Sequence, residues 1–438
     1  MLLTLVYFIL ILGVIVLVHE FGHFFFAKLF GIYVYEFSIG MGPKLFGKKK
    51  GETDYSIRAI PIGGYCALAG EDVESDDEAK IPEDRRLNAK PVWQRFLVMV
   101  FGAGNNFLLA LLILFIMGLS WGATSNKAVV SDFAHYITVV KTDSDLGLKE
   151  GDKILKVNDI VIDVNKNGSL AYYLAKAGTE KVTLLVDRNN EGKEIELVNT
   201  KSLSRQILYN IPLTAAEKAG IEIGDKIVKV NGNKVKTTDD VALYLQMYGK
   251  KKNVKFTVIR DGVKKELNVK PDVEEVSKTK VYRVGIISEG EVEHGFIPSI
   301  KYAFNKVGAL FRQMVITLKG LFTGKLEVKQ LSGPVGIYNI VGSQSKAGIQ
   351  NVLYLIALLS VNVGFINLLP FPAFDGGRVL FLIIEKIKGS PVKPETENKI
   401  HTIGFMLLIA LMIYITFNDI FKLFWCKIMY NWCKLLVS

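Results

Sequence analysis

Long uncharged stretches flank one long polar stretch in this chain. The uncharged stretches are Leu2–Ala27, which carries only Glu20, then Phe96–Leu119, Val352–Leu369 and about Thr402–Phe417. A helix rises about 1.5 Å per residue, so each is close to the length that crosses a hydrocarbon layer of roughly 30 Å. The pattern predicts four transmembrane helices, with residues 28–95 and 370–400 on one side of the membrane and residues 120–350 on the other.

Charges near the spans indicate whether the first span is a retained helix or a cleaved signal peptide, and which loops face the cytoplasm. A cleavable signal peptide is the alternative for the first span, but such peptides start with basic residues and none precedes Lys28. Short basic loops stay in the cytoplasm. The loop between spans three and four is basic and therefore predicted to be cytoplasmic, although three lysines near the end of the chain favour the opposite side. The loop residues are Arg378, Lys386, Lys388, Lys393 and Lys399; the others are Lys422, Lys427 and Lys434.

The polar stretch contains an internal repeat. Residues 147–158 and 220–231 are identical at eight of twelve positions, and each copy contains Gly-Asp-Lys-Ile followed by Lys-Val-Asn. Each copy predicts a turn, an alternating strand and a second turn, followed by a short helix and further strands. These units resemble PDZ domains, which bind extended peptides by adding them to a sheet edge. A repeated β-rich spacer without a ligand is the alternative.

Composition fits a membrane protein that also has a folded polar part. Of the 438 residues 50% are hydrophobic and 22% are charged, with a mean hydropathy of +0.28. Three cysteines are too few for a disulfide framework or a thiolate metal site. The net charge is +11, but the basic residues form no continuous stripe, so nucleic acid is not an expected partner. The excess of lysine is instead typical of a protein at a membrane surface.

The first span contains the motif His19-Glu20-Phe21-Gly22-His23. Residues four apart share a face of a helix, so both imidazoles can reach one metal ion with Glu20 beside them. A charged residue inside a membrane costs about 2.5–3.5 kcal/mol, which makes a purely structural role a poor alternative. The motif therefore predicts a metal site inside the membrane.

A catalytic metal site usually needs a third protein ligand. His135 and His294 lie in the polar insert and His401 starts the fourth span, whereas Asp375 follows the third span in the sequence Pro370-Phe-Pro372-Ala-Phe-Asp375-Gly-Gly. The two prolines cannot continue a helix, so the span should unwind just before Asp375. Unwound chain at membrane depth lines a cavity or is buried in protein, which favours Asp375 as the third ligand.

Two amides precede Asp375 on the third span. Asn362 and Asn367 either bind a substrate backbone or the developing oxyanion, or they simply hold helices together.

Taken together, these motifs resemble the bacterial site-2 protease family, in particular the regulator-of-sigma-E protease type. The resemblance implies that His19, His23 and Asp375 bind Zn²⁺ and that Glu20 is the catalytic base. Residues 38–46 and 55–68 are similar to a membrane-dipping β-hairpin that holds extended substrate, with an ordinary cytosolic hairpin as the alternative. The expected substrate-binding residues there are Tyr55, Ser56, Ile57, Gly63 and Gly64. Residues 102–106 resemble the family's Gly-Pro-x-x-Asn stretch, with Ala103 in place of proline.

The predicted fold is an α-helical polytopic membrane protein with four transmembrane helices, a membrane-associated β-hairpin and two inserted β-rich PDZ-like domains. The predicted divisions are 1–126 with spans one and two, 127–203 and 204–276 for the PDZ-like domains, 277–348 for a linker and interfacial amphipathic helix, and 349–438 with spans three and four.

The predicted function is zinc-dependent cleavage within the inner (cytoplasmic) membrane, and the resemblance implies single-span membrane substrates such as anti-sigma factors or remnant signal peptides. The PDZ-like domains would lie outside the cytoplasm, where they exclude bulky substrates or bind peptide termini. A metal or ion transporter is one alternative, because broken helices with polar groups occur in transporters. A non-catalytic PDZ scaffold is the other.

Overall fold

A computed structural model describes most of the chain. The described residues are 2–71, 81–124, 127–142, 146–167, 169–178, 181–188, 191–198, 203–251, 253–276, 279–288, 290–328 and 331–436. They form two compact units. The membrane unit comprises residues 1–124, 292–319 and 327–438, and the insert unit comprises residues 125–291 and 320–326.

The helices are α1 Leu2–Leu29, α2 Val92–Trp121, α3 Val164–Asn167, α4 Leu170–Lys176, α5 Leu203–Gln206, α6 Ala215–Lys218, α7 Thr238–Tyr248, α8 Phe296–Phe322, α9 Pro334–Lys346, α10 Ile349–Asn367, α11 Asp375–Lys388 and α12 Pro394–Leu436. The strands are β1 Val34–Lys50, β2 Thr53–Leu68, β3 Ala123–Thr124, β4 Asp132–Phe133, β5 Ile137–Thr142, β6 Lys153–Val157, β7 Ile160–Val161, β8 Lys181–Arg188, β9 Glu191–Val198, β10 Ile207–Asn210, β11 Lys226–Val230, β12 Asn233–Lys234, β13 Val254–Arg260, β14 Val263–Val269, β15 Asp272–Val276, β16 Thr279–Arg283, β17 Ile286–Ile287 and β18 Val292–Glu293.

Four helices in the described residues are long and apolar enough to cross a membrane. They are Leu2–Leu29, Val92–Trp121, Ile349–Asn367 and Glu395–Phe421. Together with the antiparallel sheets of the insert unit, they confirm the predicted fold class. The break after the third span is also present, because α10 ends at Asn367 and α11 begins at Asp375.

The spans pack closely where they carry glycine. A Cβ atom on Gly22 of α1 would lie 2.0 Å from the carbonyl oxygen of Phe101 on α2. On α10, a Cβ on Gly364 would lie 3.0 Å from the carbonyl oxygen of Ala103. Small residues of this kind let helix backbones approach each other inside a membrane. The first and third spans therefore contact neighbouring parts of the second.

The two long strands β1 and β2 fold into more than a simple hairpin. Ser38 pairs with both Ser56 and Tyr65, so the first part of β1 lies between two parts of β2. The second part of β1 pairs with the first part of β2, where Ser56 also faces Gly47. Residues 55–57 therefore lie inside the sheet, because neighbours pair with them on both sides. Among the described residues, this sheet has two edges. One is formed by residues 64–68, which pair only with residues 34–39, and the other by residues 44–50, which pair only with residues 53–58.

This sheet runs along the first span. Glu52, in the turn between β1 and β2, forms an ion pair with Lys28 at the end of α1, with 2.6 Å between Nζ and Oε1. At the other end, a Cβ on Gly64 would lie 3.5 Å from Cγ of Glu20 and from Cγ1 of Val16. The sheet thus covers α1 from Lys28 back to Val16, about 18 Å at 1.5 Å per residue.

The two largest sheets of the insert unit are similar. Their strand orders are β10-β5-β6-β8-β9, with β7 beside β6, and β12-β11-β13-β14. The repeated aspartates have the same role in both: Asp152 binds Arg188 and Asp225 binds Arg260, each through both carboxylate oxygens. In each repeat, the aspartate of the Gly-Asp pair thus forms a buried ion pair that joins a turn to a neighbouring strand.

The first residues of the insert unit complete the second repeat. Val129 bridges to Lys226 at the start of β11, and β4 pairs with β17. The sheet of the first repeat, by contrast, includes β10, which lies beyond the predicted boundary at residue 203. The chain therefore enters the second repeat, forms the first repeat and then returns to the second.

His135 lies at this crossing between the repeats. Its Nδ1 is 2.8 Å from Oδ1 of Asn165, and its Nε2 is 2.9 Å from Oε2 of Glu217. Both partner atoms accept hydrogen bonds, so the ring satisfies both only when it is doubly protonated. Burial opposes that charge, but the hydrogen bonds to Asn165 and Glu217 and the negative charges of Glu217 and Asp132 raise the pKa of His135 above its usual 6.5.

We expect this contact to make the insert unit less stable at high pH. A raised pKa adds stability that is fully present below pH 6.5 and is lost as the pH rises through the higher folded-state pKa. Between pH 6 and pH 9 the wild type should lose more stability than His135→Leu, which cannot form either hydrogen bond. Thermal unfolding of both proteins across that range measures the difference. Equal pH slopes for the two proteins would contradict the assignment.

Candidate active site

His19 and His23 face each other one helical turn apart on α1. Their Nε2 atoms are 3.3 Å apart, and each residue is only 8% exposed. His23 is oriented by α2, where the backbone carbonyl of Val98 lies 2.9 Å from its Nδ1. A carbonyl oxygen only accepts, so Nδ1 carries the proton and Nε2 of the neutral ring presents a lone pair. The first two spans thus aim both Nε2 atoms at one point.

Asp375 brings a carboxylate to the same point. Its Oδ2 lies 3.2 Å from Nε2 of His19 and 3.3 Å from Nε2 of His23. Asp375 begins α11, and the chain before it folds back so closely that a Cβ on Gly376 would lie 2.2 Å from the carbonyl oxygen of Leu369. The third span ends before the two prolines, as the sequence predicts, and Gly376 permits the tight return because it has no Cβ atom.

Three electron-rich atoms at this separation are suited to a cation. Each of the three side chains offers one possible ligand atom, and these atoms all lie within 4.8 Å of one another. Two imidazole lone pairs and a carboxylate oxygen repel each other without a shared positive charge. The arrangement therefore favours a metal ion bound by His19, His23 and Asp375.

Comparison with known proteins identifies the family. The model of peptidase family M50 matches residues 7–411. The chain belongs to this family. It is 34% identical over 438 residues to the zinc metalloprotease RasP of Shouchella clausii, covering 96% of this chain and 99% of that protein. It is 30% identical to the zinc metalloprotease RasP of Geobacillus kaustophilus, with 96% and 98% covered.

This M50 protein is a zinc metalloprotease of the site-2 protease type that spans the membrane several times, as the sequence predicts. The three ligand atoms fit zinc, because tetrahedral bonds of about 2.0–2.1 Å place ligand atoms about 3.3–3.4 Å apart. The measured separations are 3.2–3.3 Å. Catalytic zinc sites commonly use three protein ligands of this kind.

The remaining histidines do not join the cluster. Nδ1 of His401 lies 3.2 Å from the backbone nitrogen of Ala373, which donates to it. His135 binds Asn165 and Glu217. Within the described part of the chain, no second group of three His, Cys, Asp or Glu side chains lies close enough to hold a metal ion. Asp375 is thus the only one of the four predicted candidates for the third ligand that lies beside His19 and His23.

The other predicted site residues lie on α1, on α10 and in the sheet of β1 and β2. Glu20 follows His19 on α1 and contacts the strand that carries Gly63 and Gly64. Asn362 is on α10, and its Oδ1 is buried without a hydrogen-bond partner among the described residues. Asn367 is the last residue of α10. Tyr55, Ser56 and Ile57 lie in the middle of the sheet, with paired neighbours on both sides.

Two residues of α2 shape the site through contacts that the sequence did not predict, although Gly102 lies in the stretch 102–106 that resembles the family. A Cβ on Gly102 would lie 2.2 Å from Nε2 of His23, so only glycine leaves room for that imidazole. The Val98 carbonyl orients the same ring. A glycine within an apolar helix indicates close packing in general, but its partner becomes evident only when the helices are assembled.

Proposed function

We propose that this M50 protease cleaves the membrane-spanning segment of single-span proteins, with anti-sigma factor-like proteins or remnant signal peptides as the substrate class. His19, His23 and Asp375 bind the zinc and Glu20 is the general base. The membrane is the cytoplasmic (inner) membrane. The observation that carries the proposal is the sheet edge at residues 64–68, which lies against Glu20 beside the metal ligands.

An intact transmembrane helix resists hydrolysis, because its carbonyl groups already accept hydrogen bonds within the helix. A substrate must therefore be extended locally, and its freed N–H and C=O groups need partners. The edge at residues 64–68 offers such partners by adding the substrate as one more strand. An extended segment docked there would pass Glu20 and the two histidines of α1.

Glu20 then acts on the attacking water. Zinc supplies Lewis-acid activation of water and of the scissile carbonyl near neutral pH. The Glu20 carboxylate takes the proton from the water and delivers it to the leaving amine nitrogen, as the glutamate of this motif does in zinc peptidases. Oδ1 of Asn362 is buried without a hydrogen-bond partner among the described residues, which supports a role in accepting a hydrogen bond from a substrate N–H group. Asn367 is a second candidate for this contact.

The distribution of charge supports one orientation of the protein in the membrane. The basic loop between α10 and α12 supports a cytoplasmic location for the loop and for the mouth of the active site. Residues 125–291 would then lie outside the cytoplasm. There the PDZ-like repeats would exclude substrates with bulky outer domains or bind peptide termini.

We expect a substrate to cross-link to the sheet edge faster than to the sheet centre. A strand added beside Ala67 would lie three strand spacings, about 14 Å, from the segment that contains Ile57. In a Glu20→Gln protein with Cys66, Cys426 and Cys433 changed to Ser, Ala67→Cys should form disulfides with cysteines placed along a single-span substrate. Ile57→Cys should form few.

Ile57→Cys is the matched control, because Ile57 is 50% exposed and thus available to reagents. The cross-linking of each variant is compared with its reaction with a small thiol reagent, because Ala67 is less exposed than Ile57. Equal cross-linking of substrate to the two positions, or cross-linking to Ile57→Cys alone, would show that the edge is not the docking strand.

A further inference from the structure

The two zinc-binding imidazoles need the same tautomer, but they obtain it from different partners. A histidine that binds metal through Nε2 carries its proton on Nδ1 and donates it to a neighbouring acceptor. For His23 that acceptor is the backbone carbonyl of Val98. For His19 the neighbour of Nδ1 is the side-chain amide of Asn106, at 3.3 Å.

The orientation of that amide decides what His19 can do. With Nδ2 of Asn106 toward the ring, Nδ1 of His19 must accept, which puts the proton on Nε2 and prevents metal binding. Oδ1 of Asn106 is then buried without a partner. The oxygen and nitrogen of an amide occupy nearly the same space, so a half-turn about Cβ–Cγ exchanges them. Oδ1 then accepts from Nδ1–H of His19, and Nε2 is left with its lone pair.

Asn106 is held firmly against His19. It is fully buried, and its backbone carbonyl accepts a hydrogen bond of 2.8 Å from Oγ of Ser360 on α10. Gly364 of the same helix packs beside it, since a Cβ there would lie 3.3 Å from Cβ of Asn106. Contacts within the second and third spans thus hold the Asn106 amide in a fixed position beside His19.

We propose that Asn106 is a positioning residue that accepts a hydrogen bond from Nδ1 of His19 and so sets the tautomer in which His19 binds zinc. The inference rests on the proposed zinc ligands but not on the proposed substrate. It assigns Asn106 no contact with substrate or metal. Its effect is therefore expected in zinc affinity itself and not only in activity.

The test compares two substitutions of Asn106. Leucine has a similar size but no acceptor, so Asn106→Leu should weaken zinc binding about 10–100-fold, the range found when a partner of a metal-binding histidine is removed. Asn106→Asp keeps an acceptor at the same position and should bind zinc within a few-fold of wild type. Zinc affinity is measured on the full-length protein in detergent by competition with a chelator, and cobalt absorption spectra report the ligand set.

Asn105→Leu is the matched control, because Asn105 is adjacent on α2 but donates to the carbonyl of Val18 and not to His19. It should bind zinc like wild type. Zinc affinity of Asn106→Leu equal to wild type would overturn the inference, and so would Asn106→Asp as weak as Asn106→Leu, since only packing would then matter. A wild type without zinc would overturn the ligand assignment as well.

Discussion

Glu20→Gln should abolish peptide hydrolysis and leave zinc bound. The substitution keeps the size of the side chain and removes the carboxylate that takes the proton from water. General base catalysis contributes about 10²–10⁴-fold to a rate, so cleavage should fall by that factor. The ligands His19, His23 and Asp375 are unchanged, so the zinc content should stay at about one per chain.

Both quantities can be measured on one preparation, with zinc by atomic absorption and cleavage with a labelled single-span substrate. Glu52→Gln is a suitable control, because Glu52 lies in the same unit and is bound to Lys28 and Arg85 away from the cluster. It should retain activity. A Glu20→Gln protein with wild-type activity would remove Glu20 from the mechanism, and loss of its zinc would make the substitution uninformative about proton transfer and assign Glu20 to the metal site instead.

Gly102→Ala should lower both activity and zinc affinity, because its added methyl group on α2 would displace the His23 imidazole. The added Cβ would lie 2.2 Å from Nε2 and 2.5 Å from Cε1 of His23. Atoms cannot approach so closely, and the ring is held from the other side by the Val98 carbonyl. The imidazole must shift, and a misplacement of about 1 Å costs on the order of 10²-fold in activity. Zinc affinity should fall with it.

Gly104→Ala is the matched control on the same helix. Its Cβ would meet nothing closer than a ring carbon of Phe101 at 3.4 Å, which is ordinary contact. Both variants add one methyl group to α2, so the difference between them isolates the effect on His23. Equal zinc affinity and activity for Gly102→Ala and Gly104→Ala would contradict the geometry of the cluster.

Local spacing predicts much of this site. His19 and His23 meet because four residues make about one turn of a helix. Asp375 follows two prolines that end the third span, so the unwound segment and its carboxylate are evident without a structure. The four spans follow from uncharged length alone. Each of these features depends on residues that are close together in the sequence.

Features that depend on long-range packing could not be predicted in the same way. The alternating pattern of β1 and β2 indicates strands, but nothing in it shows that residues 34–39 pair with two parts of β2. Residues 127–133 complete the second repeat through strands of two residues, too short for a pattern. The role of Gly102 requires knowledge of which ring faces it.

Mapping the cut site in a reconstituted substrate tests the central claim most directly. Purified wild type and Glu20→Gln are placed in lipid vesicles with a single-span protein, and the product termini are determined by mass spectrometry. We predict new termini within the apolar span, formed by wild type and not by Glu20→Gln. Termini confined to the polar flanks, or the same termini from both proteins, would contradict proteolysis inside the membrane at this zinc site.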